Sequence, residues 1–252
     1  MTLPSNPRVM LKQAANLYTE ANLNWVDRTV EKVNAWRKWV ASPDEVRPVI
    51  EQSGVRFIPK ELVPEGNGAY SFPVYNPLGS LSLAQLRFVR PIGETRYFVI
   101  GNQSEHVGPQ WFGLDRDTLE RLTATRTALV VEGPFDVLAC RIILGSEIPV
   151  ICPLGKNLYH DHVRDLQCLG ITKVIAMFDS DEAGASATLP PIPTRRGHKL
   201  DVERTILRCP GKDPSDCLKD LKAAKLLYRE VRRVINPNLA MLGTGEPPSP
   251  SS

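Results

Sequence analysis

The segment VVEGPFDVLA, Val130 to Ala139, is a short apolar run that breaks at Glu132 and Gly133 and resumes in helical spacing beyond Pro134. β-Branched residues that end in a carboxylate and a turn read as a buried parallel strand, one that delivers charge to the carboxyl edge of a sheet. Open α/β folds bind their ligands at that edge. The pattern recurs in VIAMFDSDEAG (Val174 to Gly184), which carries Asp179 and Asp181, and a third acidic cluster, Asp213 with Asp216, follows in PGKDPSD (Pro210 to Asp216). Three such edges can converge on one metal site.

Around this segment strands and helices alternate. TALVVEG, IPVICPLG, KVIAMFDSD and KLDVERTIL read as strands, and Phe135 to Leu144, Tyr159 to Leu169, Ala183 to Leu189 and Pro214 to Leu227 as helices. Alternation of this kind implies right-handed βαβ crossovers and a mainly parallel sheet, an α/β architecture. Upstream, VRFIP, YSFPVYN, SLSLAQLRFV and RYFVIG are short strands between Gly, Pro and Asn turn signals, so a small antiparallel sheet is predicted between Val55 and Gly101. Arg87, Arg90 and Arg96 there sit among Phe88, Tyr97 and Phe98. That mixture suits a strand face meeting phosphate and base, and a solvated face with scattered arginines accounts for it equally well.

Three short helices are predicted to open the chain between about Met10 and Gly54, where Leu11, Ala15 and Tyr18 and then Val26, Val30, Val33, Trp36 and Val40 recur at helical spacing. Ser42, Pro43 and Glu45 supply a hydroxyl cap, a proline at the first helical position and a capping-box carboxylate. Trp25, Trp36 and Trp39 read as core packing rather than as stacking groups for bases. LPPIPTRRG (Leu189 to Gly197) is too rich in proline for a helix, and the tail from Pro237 has the composition of disorder. The expected division is a helical and β subdomain over 1–125, an α/β domain over 126–236 and a disordered tail over 237–252.

Hydrophobic residues at 42% and charged residues at 23% of 252 suffice to bury a full core, in one large domain or two small ones. A net charge of +3 permits a polyanionic partner without requiring one. Cys140, Cys152, Cys168, Cys209 and Cys217 are scattered, odd in number and without a CxxC pair, which favours buried free thiols in a reducing compartment and leaves no zinc site expected. The N-terminus lacks the apolar core of a secretory signal, and no run approaches the ~20 apolar residues that cross a bilayer. A cytoplasmic protein with no membrane association is expected.

Asp179 and Asp181 hold hard oxygens at alternate positions of a strand end, so both can face one point; such ligands favour magnesium, with manganese as the alternative. Unpaired, carboxylates so grouped would raise one another's pKa, a cost that a divalent ion removes. Taken singly, each cluster has a duller reading, with Asp136 and Asp216 as helix caps.

The order Glu-Gly-x-x-Asp, Asp-x-Asp-x-Ala-Gly, Gly-Lys-Asp-Pro resembles the Toprim domain, a metal-binding fold shared by bacterial-type DNA primases, topoisomerases and some nucleases. The primases are the nearest of these. YSFPVYNPLGSLSLAQLRFV, TRYFVIGNQ, WFGLDR and PLGKNL are similar to successive segments of the primase core, so the resemblance runs from about Leu11 to Lys225. It implies a helical and antiparallel β subdomain followed by a Toprim-type catalytic domain. It further implies Glu132, Asp179 and Asp181 as catalytic carboxylates, these three and Asp213 as ligands of Mg2+, Asp136 and Asp216 in support, and Arg87, Arg96 and Lys156 as contacts to nucleic acid or nucleotide. The chain departs from the family pattern at Ser215, where the third cluster usually has a second aspartate, and near Val107, where a lysine is expected whose charge His106, Lys156 or Arg116 could supply.

The implied activity is DNA-directed synthesis of short RNA primers from ribonucleoside triphosphates on a single-stranded DNA template. A metal-dependent nuclease and a non-catalytic module that binds DNA or a replication protein are the alternatives. A topoisomerase is disfavoured, because that chemistry needs a tyrosine domain and gate for which this length leaves no room. The zinc-binding template-recognition and helicase-interaction modules of the family are expected to be absent. The expectation is then an isolated polymerase core of the kind a phage or mobile element would use, working with a replicative helicase or a separate template-recognition protein in a bacterial or phage-infected cell.

Overall fold

A computed structural model of the chain describes residues 25–61, 63–75, 81–100, 110–154, 160–177 and 203–236. The first described elements are two helices, α1 (Trp25–Arg37) and α2 (Pro43–Ser53). α2 starts where the sequence predicts. The Ser42 hydroxyl accepts the Glu45 amide at 3.3 Å, the Glu45 carboxylate accepts the Ser42 amide at 2.7 Å, and Gly54 ends the helix at φ 66°.

An antiparallel sheet follows, with strands β1 (Arg56–Ile58), β2 (Ala69–Tyr75), β3 (Leu81–Ile92) and β4 (Thr95–Ile100) in the order β1-β2-β3-β4. Pro73 lies in an interior strand and is tolerated because β1 pairs only with Ala69 to Ser71, so no neighbour on that side needs its missing amide. Period-two alternation divides β3 cleanly. Leu86 and Phe88 turn into an apolar cluster with Ile58 and Ala69, while Gln85 and Arg87 face a cavity. Of the aromatics near the arginines, Phe88 is therefore core and Tyr97 lines the cavity.

After α3 (Arg116–Thr125) come β5 (Thr127–Val131), α4 (Pro134–Leu144), β6 (Val150–Ile151), α5 (His160–Cys168), β7 (Lys173–Met177), β8 (Glu203–Ile206), α6 (Pro214–Cys217) and α7 (Leu221–Ile235). Strands β6-β5-β7-β8 form a wholly parallel sheet in that order. The single helix expected from Pro214 to Leu227 is in fact two. The chain turns after Cys217, and Asp220 caps the second helix by accepting the Lys222 amide at 2.9 Å. The stretch before Trp25, the helix over Ala183–Leu189, the loop over Leu189–Gly197 and the tail from Pro237 lie outside the described residues. No helix among the described residues is long and apolar enough to cross a membrane.

The two sheets share one core. Val30, Val33, Val49 and Ile50 of α1 and α2 and Tyr70 and Phe72 of β2 pack with Leu129, Val131, Leu138 and Met177 of the parallel half. Phe135, on the first turn of α4, ties the halves together. Its ring meets Phe72 at 5.1 Å, Tyr70 at 5.2 Å, Trp36 at 5.3 Å and Trp39 at 6.4 Å, all edge-on. The core reading of the tryptophans therefore holds for Trp39, which is buried, and in part for half-buried Trp36, which also stacks on Tyr70 at 5.1 Å. Trp25, also half-buried, packs against the same core and lies under the Arg56 guanidinium, 4.6 Å away.

Behind the parallel sheet, buried Arg141 pairs with Asp115 at 2.9 Å and donates to the Gly113 carbonyl and the Thr118 hydroxyl, both at 2.7 Å. It fastens α4 to the start of α3. Nearby, His162 sits edge-on to Trp111 at 4.8 Å, and burial pushes its imidazole below the ordinary range.

Two outcomes are expected from this packing. Phe135→Ala should cost about 3–5 kcal/mol in urea unfolding, through lost aromatic contacts and the cavity left behind. The unfolded chain takes up the His162 proton before the folded chain does, so stability should fall as pH drops below about 6.5. A His162→Gln variant should show a flatter pH dependence in thermal melts over that window.

Candidate functional site

Glu132 stands immediately after β5, and Gly133 and Pro134 turn the chain into α4. Asp136, on the third residue of α4, reaches back so that its Oδ2 accepts the Gly133 amide at 3.1 Å, while its Oδ1 accepts the Ser215 amide at 3.4 Å. A Cβ on Gly133 would come within 3.1 Å of that carboxylate, a close approach that glycine avoids. One buried carboxylate thus joins the first and third acidic clusters.

In the third cluster the cap is Asp213. Its Oδ1 accepts the Asp216 amide at 2.7 Å and starts α6, with Pro214 at the first helical position. The duller reading of the sequence puts capping at Asp136 and Asp216. The structure gives the α6 cap to Asp213, whereas Asp216 pairs with Lys219 and is not among the residues lining the cavity described below. Ser215, fully buried, accepts at its hydroxyl from the Arg37 Nε at 2.9 Å and from the Arg37 Nη2. The Trp39 indole N–H lies 3.1 Å from both that hydroxyl and the Ser215 carbonyl. A residue at the third cluster therefore anchors the end of α1.

These elements enclose a cavity of about 620 Å³, lined by Glu132, Asp136 and Asp213 on one side of the charge balance and by Arg37, Arg87, Arg96 and Lys212 on the other. The Arg37 guanidinium lies 5.1 Å from the Phe135 ring centre and that of Arg87 5.7 Å from it. Both also pack on Trp36, at 5.7 and 5.3 Å. Arg87 in addition donates to the Tyr97 hydroxyl and lies 5.0 Å from that ring, and burial pushes the Tyr97 phenol up against the opposing influence of Arg87. A second cavity of about 440 Å³ opens beside Trp36 and Tyr70, lined by Arg28, Lys32 and Lys60. Among the described residues its one carboxylate is Glu61, so the acidic chemistry described belongs to the larger cavity.

Of the residues singled out from sequence, Glu132, Asp136, Asp213, Arg87 and Arg96 meet at this cavity. Asp179, Asp181 and Lys156 lie outside the described residues. Among the described residues no three His, Cys, Asp or Glu side chains are grouped closely enough to hold a metal ion. The hard-oxygen donors on the cavity wall, Glu132 and Asp213, suit magnesium in kind. Sequence reasoning missed Arg37, Lys212 and the anchoring role of Ser215. Lys212 was legible, standing inside PGKDPSD beside Asp213; Arg37 was not, because a basic residue at a helix end carries no signal of what it faces.

Residues 129–218 match the family described as Toprim-like. The chain is 33% identical over 111 residues to the DNA primase of Deinococcus radiodurans, a stretch that covers 44% of this chain and 19% of that protein. In three dimensions it is similar to the RNA polymerase domain of Mycobacterium tuberculosis primase DnaG, with a TM-score of 0.65 and 20% identity over 92% of this chain and 84% of that one. It is likewise similar to a DnaG primase catalytic domain bound to single-stranded DNA, with a TM-score of 0.55 and 18% identity over 90% of this chain and 79% of that one. The chain therefore carries a Toprim-like segment within the fold of a primase catalytic core, the mixed α/β architecture expected from sequence.

Ser215→Ala should lower stability by about 1–3 kcal/mol in urea unfolding, because the Trp39 and Arg37 donors lose a buried acceptor.

Proposed function

We propose that the chain is the polymerase core of a DNA primase, joining ribonucleoside triphosphates into a short primer on a single-stranded DNA template. The observation that carries this reading is the meeting of Glu132 and Asp213, from two different strand-to-helix turns, with four cationic side chains in one cavity. A nucleotidyl-transfer site needs both signs of charge: carboxylates to hold divalent ions and cations to hold phosphate. The register supports the missing half. Val131, directly before Glu132, pairs with Met177, two positions before Asp179 in sequence, so β5 and β7 end side by side.

In this reading Glu132, Asp213, Asp179 and Asp181 hold Mg2+, with Mn2+ as a substitute. The ion, when bound, neutralises triphosphate charge and favours ionisation of the attacking 3′-hydroxyl. Glu132 would also take up the hydroxyl proton. Asp136 holds no substrate; it locks the Glu132 turn to the Asp213 turn through the Gly133 and Ser215 amides. Arg37, Arg87, Arg96 and Lys212 bind phosphates of the incoming nucleotide and the template. The aromatic faces of Trp36 and Phe135 keep Arg37 and Arg87 in place as the substrate enters. A helicase or separate template-recognition protein would bring the template.

The test is incubation with defined single-stranded DNA, labelled ribonucleotides and Mg2+ or Mn2+, scored both for incorporation and for strand cleavage. Incorporation is expected, with a drop of about a hundredfold in Glu132→Gln, equal to ~2.7 kcal/mol of barrier. Asp179→Ala should abolish it while the fold is kept. Cleavage without incorporation would establish the nuclease instead. DNA binding with neither activity would establish the non-catalytic module.

A further inference from the structure

The segment that presents Lys212 and Asp213 to the cavity is bracketed by two cysteines. Their Sγ atoms are 3.2 Å apart, with Cys217 fully buried and Cys209 7% exposed. The Gly211 amide donates to the Cys217 Sγ at 3.3 Å, so the chain between them folds back over the sulfur. A Cβ on Gly211 would sit 3.2 Å from that Sγ, and glycine lets this turn close. Cys209 lies between exposed Arg208 and Pro210. Neither thiol lines the cavity, and the proposed reaction uses neither.

We propose that Cys209 and Cys217 are an oxidation site, joined by a reversible disulfide when the protein meets hydrogen peroxide. A disulfide bond is ~2.05 Å long, so the sulfurs must approach by about 1.2 Å, a displacement that the turn over 210–213 can absorb. One sulfur of the pair attacks one peroxide oxygen and the O–O bond breaks. The departing oxygen leaves as water with the thiol proton, and that cysteine becomes a sulfenic acid. The second sulfur then attacks the first, the S–O bond breaks, and a second water carries off the second thiol proton. Two electrons pass from the sulfur pair to the peroxide.

The bond would close a ring over 209–217 that contains Lys212 and Asp213. Cys217 ends α6, whose cap is Asp213, so drawing the sulfurs together shifts a carboxylate and a cation of the cavity wall at once. Oxidation would then lower activity and a thiol reductant would restore it. This consequence rests on the proposed function, whereas the disulfide itself does not.

The experiment uses the full chain in a Cys168→Ser background, which removes the exposed thiol. Native protein is treated with hydrogen peroxide, digested and mapped by mass spectrometry, before and after dithiothreitol. The expected result is a peptide pair linked through Cys209 and Cys217, a fall of two in the titratable thiols of the denatured protein, full reversal by dithiothreitol, and no linkage in Cys209→Ser. Unlinked Cys209 and Cys217 under conditions that oxidise Cys140 or Cys152 would overturn the proposal, as would a link from either cysteine to another partner. Priming measured in both redox states should fall about tenfold on oxidation and recover. Absence of priming from the reduced protein would count against the proposed function alone, and the peptide map would still decide whether the disulfide forms.

Discussion

The burial of Phe135 organises the rest of the molecule. Its ring stands three residues beyond Glu132 and one before Asp136, and it is held edge-on by Trp36, Trp39, Tyr70 and Phe72 from the other half of the chain. Sinking that ring into the shared core sets the pitch of the first turn of α4 and thereby the direction of the two carboxylates beside it. The outer part of the same aromatic group receives the guanidiniums of Arg37 and Arg87. One apolar cluster therefore positions anionic groups from the parallel sheet and cationic groups from α1 and β3.

Around that cluster, polar contacts between remote segments complete the alignment. Asp136 bonds to the Gly133 and Ser215 amides, and Ser215 in turn receives Arg37 and Trp39. Each is a buried or half-buried group with a partner far away in sequence, so the geometry persists only when both halves are folded. Ser215 fits this arrangement. A neutral hydroxyl serves as the acceptor for Arg37, and the guanidinium keeps its positive charge facing the cavity instead of spending it on a neighbouring carboxylate.

Local rules carried much of the fold. The strands of both sheets fall within a few residues of their expected bounds, and the Ser42 capping box appears as written, because alternation, turn residues and caps act over a few positions. The break after Cys217 was missed because Pro214 to Leu227 keeps helical spacing throughout, and the Asp220 cap that divides it looks like any surface aspartate in sequence. Similarly, Phe88 looked like a partner of Arg87 until the register of β3 sent the two to opposite faces.

The carboxylate at the end of β5, the parallel and antiparallel halves and the alternation that separates them were determined by sequence alone, since each is a pattern of neighbours along the chain. Tertiary structure decided which charges share a cavity. It brought Arg37 beside Ser215 and set two cysteines sulfur to sulfur around Lys212 and Asp213, because these contacts join positions whose separation in sequence has no period, and only the closing of one core over both sheets brings them together.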